Sequence, residues 1–154
     1  MADLHAGFRL RPMTEEDVDA VVAIENATQP TPWTARIFLD CFVSHYDCRV
    51  VTHGEQVVGF AVLSSVLDEV HLLNIAVAPA MQRRGIAWAA LKEIAADYQR
   101  PDMRSLYLEV RESNQGARAL YQRMGFQMIG ERKNYYRTSG GRENAILMMK
   151  PLQP

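Results

Sequence analysis

Little in this chain announces a function at first sight. It has only two cysteines, Cys41 and Cys48, too few for a disulfide framework and unable alone to fill a four-ligand zinc site. Two free, buried thiols in a reducing compartment are the expected state, and no metal site is expected. Neither sign of charge is in excess. Seventeen Lys and Arg against eighteen Asp and Glu leave a net charge of −1, which argues against a broad nucleic-acid-binding surface. Long hydrophobic runs are missing as well. The apolar stretches 57–63 and 145–149 are strand-sized, whereas a membrane span needs about 20 residues. The first twelve residues mix Asp3, His5, Arg9 and Arg11 with scattered apolar residues, unlike a secretory leader. No repeat or low-complexity tract is visible. A cytoplasmic protein with neither a membrane nor a nucleic-acid partner is expected.

What is present fits one globular domain over 1–154. The chain is 48% hydrophobic and 23% charged, and its length is that of a single domain. A short strand is expected at Phe8–Arg11, stopped by Pro12. Thr14, three residues before Asp17, opens a helix carrying Val18, Val21, Val22 and Glu25 at helical spacing. Gln29-Pro30-Thr31-Pro32 breaks it, because proline lacks the amide proton and clashes with the preceding turn. Thr34 caps a second helix with Ile37, Phe38 and Cys41 on its apolar stripe, which leaves an irregular loop around Trp33.

Strands are expected at 48–52 and 56–63, joined as a hairpin, and at 69–77, closed by Pro79. An amphipathic helix follows over 85–98 and a strand over 105–110. Asn114 caps the next helix, and Gly125 takes its C′ position. Strands near 127–136 and 144–150 end the chain. The order β-α-α-β-β-β-α-β-α-β-β, with a strand–helix–strand crossover, implies a mixed α/β sheet with helices on both faces.

Two stretches carry chemistry. Between the third of these strands and the helix after it lies Gln82-Arg83-Arg84-Gly85-Ile86-Ala87. A strand turning through small residues into a helix presents backbone N–H groups at the positive end of the helix dipole, an arrangement that binds phosphate. The alternative is a plain turn, since one glycine between a strand and a helix is common. The loop is neither a Walker A loop nor a dinucleotide fingerprint. The second stretch is Leu108-Glu109-Val110-Arg111-Glu112-Ser113-Asn114. Strand periodicity puts Tyr107, Glu109 and Arg111 on one face. Glu109 is therefore either a solvated edge residue or a functional group in a cleft. Tyr121 lies at helical spacing between Ala117 and Met124, so it reads as core with a hydroxyl that needs a partner.

The pattern Gln82-x-x-Gly85-x-Ala87, preceded by Asn74-Ile75-Ala76-Val77-x-Pro79, resembles the acetyl-CoA loop of the GNAT N-acetyltransferases. Three further sets of residues are similar to the RimI branch of that family. One is L-E-V-R-x-S-N-x-x-A-x-x-L-Y-x-x-x-G-F over 108–126, and another is Pro32-Trp33-Thr34. The third pairs Arg132-x-Asn134-Tyr135-Tyr136 with Gly141-Arg142-Glu143. The resemblance covers about Phe8 to Lys150. It implies a GNAT fold, that is, a mixed, mostly antiparallel central sheet of six to seven strands flanked by about four helices. A central parallel strand pair would be opened for acetyl-CoA.

By the same resemblance, acetyl-CoA is the co-substrate. Ile75, Ala76, Val77, Gln82, Arg83, Arg84, Gly85, Ile86, Ala87, Trp88 and Asn114 would hold it, largely through backbone groups. Glu109 corresponds to the general base and Tyr121 to the general acid. The family branch acetylates the N-terminal alanine of a basic ribosomal protein, the eighteenth of the small subunit. Trp33, Glu69, Tyr135 and Tyr136 would then line the acceptor, and Asp68 and Glu143 would add negative charge. A monomer or weak oligomer is expected. Acetylation of a small-molecule amine, or CoA binding without turnover, are the alternatives.

Overall fold

The computed structural model describes residues 2–152, so Met1, Gln153 and Pro154 of the expected domain lie outside the described residues. The strands are β1 (Ala2–His5), β2 (Phe8–Pro12), β3 (Asp47–His53), β4 (Gln56–Val66), β5 (Glu69–Val77), β6 (Ser105–Arg111), β7 (Gln127–Thr138) and β8 (Gly141–Pro151). The helices are α1 (Val18–Thr28), α2 (Ala35–Val43), α3 (Ile86–Asp97) and α4 (Gln115–Arg123). The eight strands among the described residues exceed the expected six to seven. The addition is β1, which pairs antiparallel with β2 through Ala2↔Leu10 and Asp3↔Arg9. Its sequence, Ala-Asp-Leu-His, contains no β-branched residue, so cross-strand pairing rather than propensity makes it a strand.

Two compact units divide the chain. One contains the residues up to Ser64 together with Leu73–Ile94; the other contains Ser65–Leu72 and the residues from Ala95 onward. In the first, the strand order is β1-β2-β3-β4-β5, with β2–β3 and β3–β4 antiparallel. Its core gathers Val18, Val21 and Ile24 of α1, Phe38 and Cys41 of α2, and Cys48, Val50, Phe60 and Val62 of the hairpin. Phe38 meets Phe60 edge-on at 5.4 Å between ring centres. Cys41 and Cys48 are free and buried, as expected.

The start of α1 follows from Asp17. Its carboxylate accepts the Thr14 N–H at 2.8 Å and the Arg11 guanidinium at 2.7 and 2.8 Å. A single turn of 3-10 helix, Glu15–Asp17, leads into α1, which ends at Thr28 before Pro30. The Thr34 hydroxyl caps α2 by accepting the Ile37 N–H.

In the second unit the order is β5-β6-β8-β7, with β5 parallel to β6 and the other pairs antiparallel. Burial along β6 alternates residue by residue, with Leu106, Leu108 and Val110 inward. This leaves Tyr107, Glu109 and Arg111 on the opposite, partly exposed face. The β7–β8 hairpin runs further than expected. Arg137 and Thr138 pair with Arg142 and Gly141, which narrows the turn to Ser139-Gly140.

Candidate active site

The expected cofactor segment belongs wholly to the first unit. Beyond Val77 a 3-10 turn at Pro79–Met81 leads to the loop. The Gln82 side chain folds back, its Nε2 donating to the Val77 carbonyl at 3.0 Å. Gln82 thereby pins the loop to the end of β5. Arg83 (φ +64°) and Gly85 (φ +77°) both adopt left-handed backbone on either side of Arg84. Such a conformation costs a non-glycine residue about 1–2 kcal/mol. The first α-helical bond of α3 runs from the Ala89 N–H to the Gly85 carbonyl. The N–H groups of Ile86 and Ala87 therefore have no carbonyl one turn back to donate to.

No atom lies within 4 Å of where a Cβ on Gly85 would stand, so packing does not require glycine there. Conformation does, and the open space lets a ligand approach the backbone closely. These features fit a pyrophosphate: exposed Arg83 and Arg84, an open glycine and a helix N-terminus. Ile86 points into the core, and Ala87 and Trp88 are half-buried, so this turn offers a ligand mainly its backbone.

Trp33 is also in the first unit. Its ring lies 5.3 Å from that of Phe38, and its backbone N–H donates to Glu25 Oε2 at 2.9 Å. The same oxygen accepts Asn74 Nδ2 of β5 at 3.0 Å. Glu25 is only 1% exposed, and burial raises its pKa, opposed by these two donors.

Glu109, Asn114, Tyr121, Tyr135, Tyr136 and Glu69 all belong to the second unit. The Glu109 side chain is 30% exposed, and its Oε1 receives the Nε of Arg132 at 2.9 Å. Arg132 also lies over the Tyr135 ring at 5.4 Å. Tyr136 packs under the Arg111 guanidinium at 4.5 Å. Burial, and next the negative charge of Glu109, push the Tyr136 hydroxyl up to about 12. Tyr121 is 6% exposed and lies edge-on to Phe126 at 5.7 Å. Burial first, and then Tyr136, push its hydroxyl up to about 12 as well. Tyr136 thus lies within electrostatic reach of both the Glu109 carboxylate and the Tyr121 phenol.

The remaining expected residues have structural partners. Asn114 caps α4, its Oδ1 accepting the Ala117 N–H at 3.2 Å. Glu143 accepts the Ser113 N–H at 3.0 Å and pairs with Arg111 at 3.4 Å; the Ser113 bonds, with Arg111, hold its pKa below the usual range. Its charge is therefore engaged rather than displayed. Glu69 bonds His71 at 3.0 Å, and the His71 ring stacks on Tyr107. In register Glu69 faces Ser105, four residues and about 13 Å along the strand from the level of Glu109. Tyr135 is 50% exposed. Among the described residues, no group of three or more His, Cys, Asp or Glu could hold a metal ion. No helix among them is long and apolar enough to cross a membrane.

Sequence reasoning missed two partners. Arg132 was visible only as part of a motif, because its link to Glu109 spans 23 residues. Glu25 left a signal: a carboxylate on the apolar stripe of α1, at helical spacing from Val18 and Val21.

Comparison with known proteins gives the family. The family model described as the Acetyltransferase (GNAT) family matches residues 13–126. The [ribosomal protein bS18]-alanine N-acetyltransferase of Escherichia coli (strain K12) is 38% identical over 136 residues, covering 88% of this chain and 92% of that protein. The crystal structure of the ribosomal-protein-S18-alanine N-acetyltransferase from Escherichia coli superposes with a TM-score of 0.90 at 35% identity, covering 96% of this chain and 95% of that one. Ard1 from Thermoplasma volcanium follows at a TM-score of 0.84 and 27% identity, covering 95% and 98%. The parallel β5–β6 pair, the strand-to-helix loop at Gly85 and these likenesses converge, and the chain belongs to the GNAT acetyltransferase family.

Proposed function

We propose that this chain transfers an acetyl group from acetyl-CoA to the α-amine of a protein N-terminus beginning with alanine, the acceptor being a ribosomal protein. The acceptor class rests on relatives named as bS18-alanine N-acetyltransferases, which match about nine-tenths of the chain. The two compact units are read as parts of one acetyltransferase domain over 1–154, since the family model runs from one into the other. Such an acceptor places the reaction in the cytoplasm.

Acetyl-CoA supplies an activated acyl group as a thioester. The loop Gln82–Ala87 would hold its pyrophosphate through the N–H groups of Ile86 and Ala87, with Arg83 and Arg84 adding positive charge. The Trp88 turn, the backbone of the half-buried Ile75 and Ala76 and of Val77, and the Nδ2 of Asn114 would seat the rest. Asn114 Oδ1 is committed to its cap, so Nδ2 is the end that would face a ligand.

An α-ammonium has a pKa of about 7.7–8.0 and must lose a proton before its nitrogen can attack. Glu109 accepts that proton, directly or through water, once its oxygen is released from Arg132. The new N–C bond forms as the C–S bond breaks. A backbone N–H near Ala76 or Val77 would stabilise the negative charge developing on the carbonyl oxygen. Burial pushes the Tyr121 hydroxyl up to about 12, so it stands protonated in the working range and donates to the departing thiolate. The second proton shed by the nitrogen as the amide forms replaces it by way of solvent, and Glu109 returns the first to solvent. Trp33, Tyr135 and Tyr136 would wall the acceptor, with Glu69 as a more distant acidic contact.

The observation that carries this reading is the partly exposed Glu109 carboxylate on the same unit as the buried Tyr121 phenol, with Tyr136 feeling the charge of the first and acting on the second. Replacement of Glu109 by Gln tests it. Acetylation of an alanine-initiated peptide should fall by about 10²–10⁴-fold, with thioester binding retained. An undiminished rate removes Glu109 from the role of base.

A further inference from the structure

Glu25 is an expensive residue for its place. It lies on α1 with Val18, Val21 and Ile24 as the buried residues of that helix, and is 1% exposed. One carboxyl oxygen, Oε2, accepts both the Trp33 N–H and Asn74 Nδ2. The other, Oε1, is buried without a hydrogen-bond partner. A buried carboxyl with one oxygen unpaired costs stability, and an apolar side chain of similar size would serve the core better. A local rule broken without a gain in stability marks a position held for function.

What Glu25 joins gives that function. Trp33 sits in the irregular segment between α1 and α2 that Pro30 and Pro32 leave without helical hydrogen bonds. Asn74 stands on β5 directly before Ile75–Val77. We propose that Glu25 is a positioning residue for the acceptor, its carboxyl tying the Trp33 backbone to Asn74 and so fixing the Trp33 segment on β5. The proposal rests on the reading of Trp33 as part of the acceptor wall. The tie uses hydrogen bonds accepted by one oxygen, so the neutral isostere glutamine can make it. An alanine cannot.

The test compares the wild type with Glu25→Ala, Glu25→Gln and Asn74→Ala, using an alanine-initiated basic peptide and acetyl-CoA. In Glu25→Ala the peptide KM should rise about 10-fold, while kcat and the acetyl-CoA KM change by less than about 3-fold, the pattern of lost ground-state binding. Hydrogen exchange at the Trp33 amide should quicken about 10-fold or more in the same variant, as expected for a broken local tie. Glu25→Gln should restore both readouts. Asn74→Ala, which removes one arm and leaves the α1 core intact, should raise the peptide KM by a smaller factor; it keeps the test decisive should Glu25→Ala fail to fold.

A uniform loss of kcat with the peptide KM unchanged makes Glu25 merely structural and overturns the proposal. A Glu25→Gln variant as impaired as Glu25→Ala also overturns it, because charge rather than the tie would then matter. If the wild type transfers nothing to the peptide, the acceptor reading fails and the positioning role falls with it. If the wild type turns over and no variant shifts the peptide KM, only the positioning role falls.

Discussion

Arg132 places its Nε 2.9 Å from Glu109 Oε1, so the carboxylate proposed as the base already has a cation on it. The guanidinium is 56% exposed and the carboxylate 30%. Exposed pairs of this kind contribute about 0–1 kcal/mol and are screened by salt. The contact is therefore weak enough for an arriving α-ammonium, a cation of the same sign, to displace it. In Arg132→Ala the melting temperature should barely change and the peptide KM should fall, because Oε1 is no longer shared. A raised KM would show that Arg132 assists acceptor binding instead.

Tyr121 should be separable from its packing role. Tyr121→Phe keeps the ring edge-on to Phe126 and removes only the hydroxyl. Transfer should slow by about 10²–10⁴-fold with acetyl-CoA affinity retained, measured by thiol release and by calorimetry. The phenol holds its proton to about pH 12, so deprotonation of Tyr121 should produce no falling limb in the wild-type pH–rate profile below about pH 11. A wild-type rate in the phenylalanine variant would return Tyr121 to the core.

The glycine that opens the loop should matter more to the co-substrate than to the fold. In Gly85→Val the new Cβ meets no neighbouring atom within 4 Å, but the residue must hold φ near +77°. The strain should cost about 1–3 kcal/mol of stability. The acetyl-CoA KM should rise about 10-fold or more if the backbone must approach the pyrophosphate closely. Binding measured by calorimetry checks this; an unchanged KM would assign the loop a purely structural turn.

The ion pair of Asp17 and Arg11 gives a pH signature. Arg11 lowers the Asp17 pKa in the folded chain, the largest contribution being their hydrogen bond. A carboxylate with a depressed folded pKa stabilises the fold above its unfolded pKa of about 3.9, and that stability is lost as pH falls through the folded value. Asp17→Asn should therefore cost about 1.5–3 kcal/mol at pH 7 and much less near pH 3, read from urea unfolding at both pH values. A cost independent of pH would mean that the amide retains what matters at this site.

Much of the fold was legible because local signals were strong. Pro12, Pro30 and Pro79 each end an element where proline must, and Thr34 and Asn114 cap the helices that they precede. Gly125 (φ +99°) follows α4 in the left-handed conformation that its sequence position implied. The β1 strand was not legible, because Ala2–His5 owes its conformation to β2 and not to its own residues. Nor were the partners of the site. Glu109 and Arg132 meet because β8 lies between β6 and β7, pairing Leu147 with Glu109 and Ala145 with Arg132. Glu25 and Asn74 meet across 49 residues. Periodicity shows which face a side chain takes, and only the folded sheet decides what waits there.

Mass spectrometry of an alanine-initiated basic peptide incubated with acetyl-CoA tests the proposed reaction most directly, with wild type and Glu109→Gln run side by side. The mechanism predicts a single acetyl group on the α-amine in the wild type, one thiol released per acetyl transferred, and a loss of about 10²–10⁴-fold in the variant. Acetylation confined to lysine side chains, or equal transfer to a peptide whose N-terminus is blocked, would contradict it.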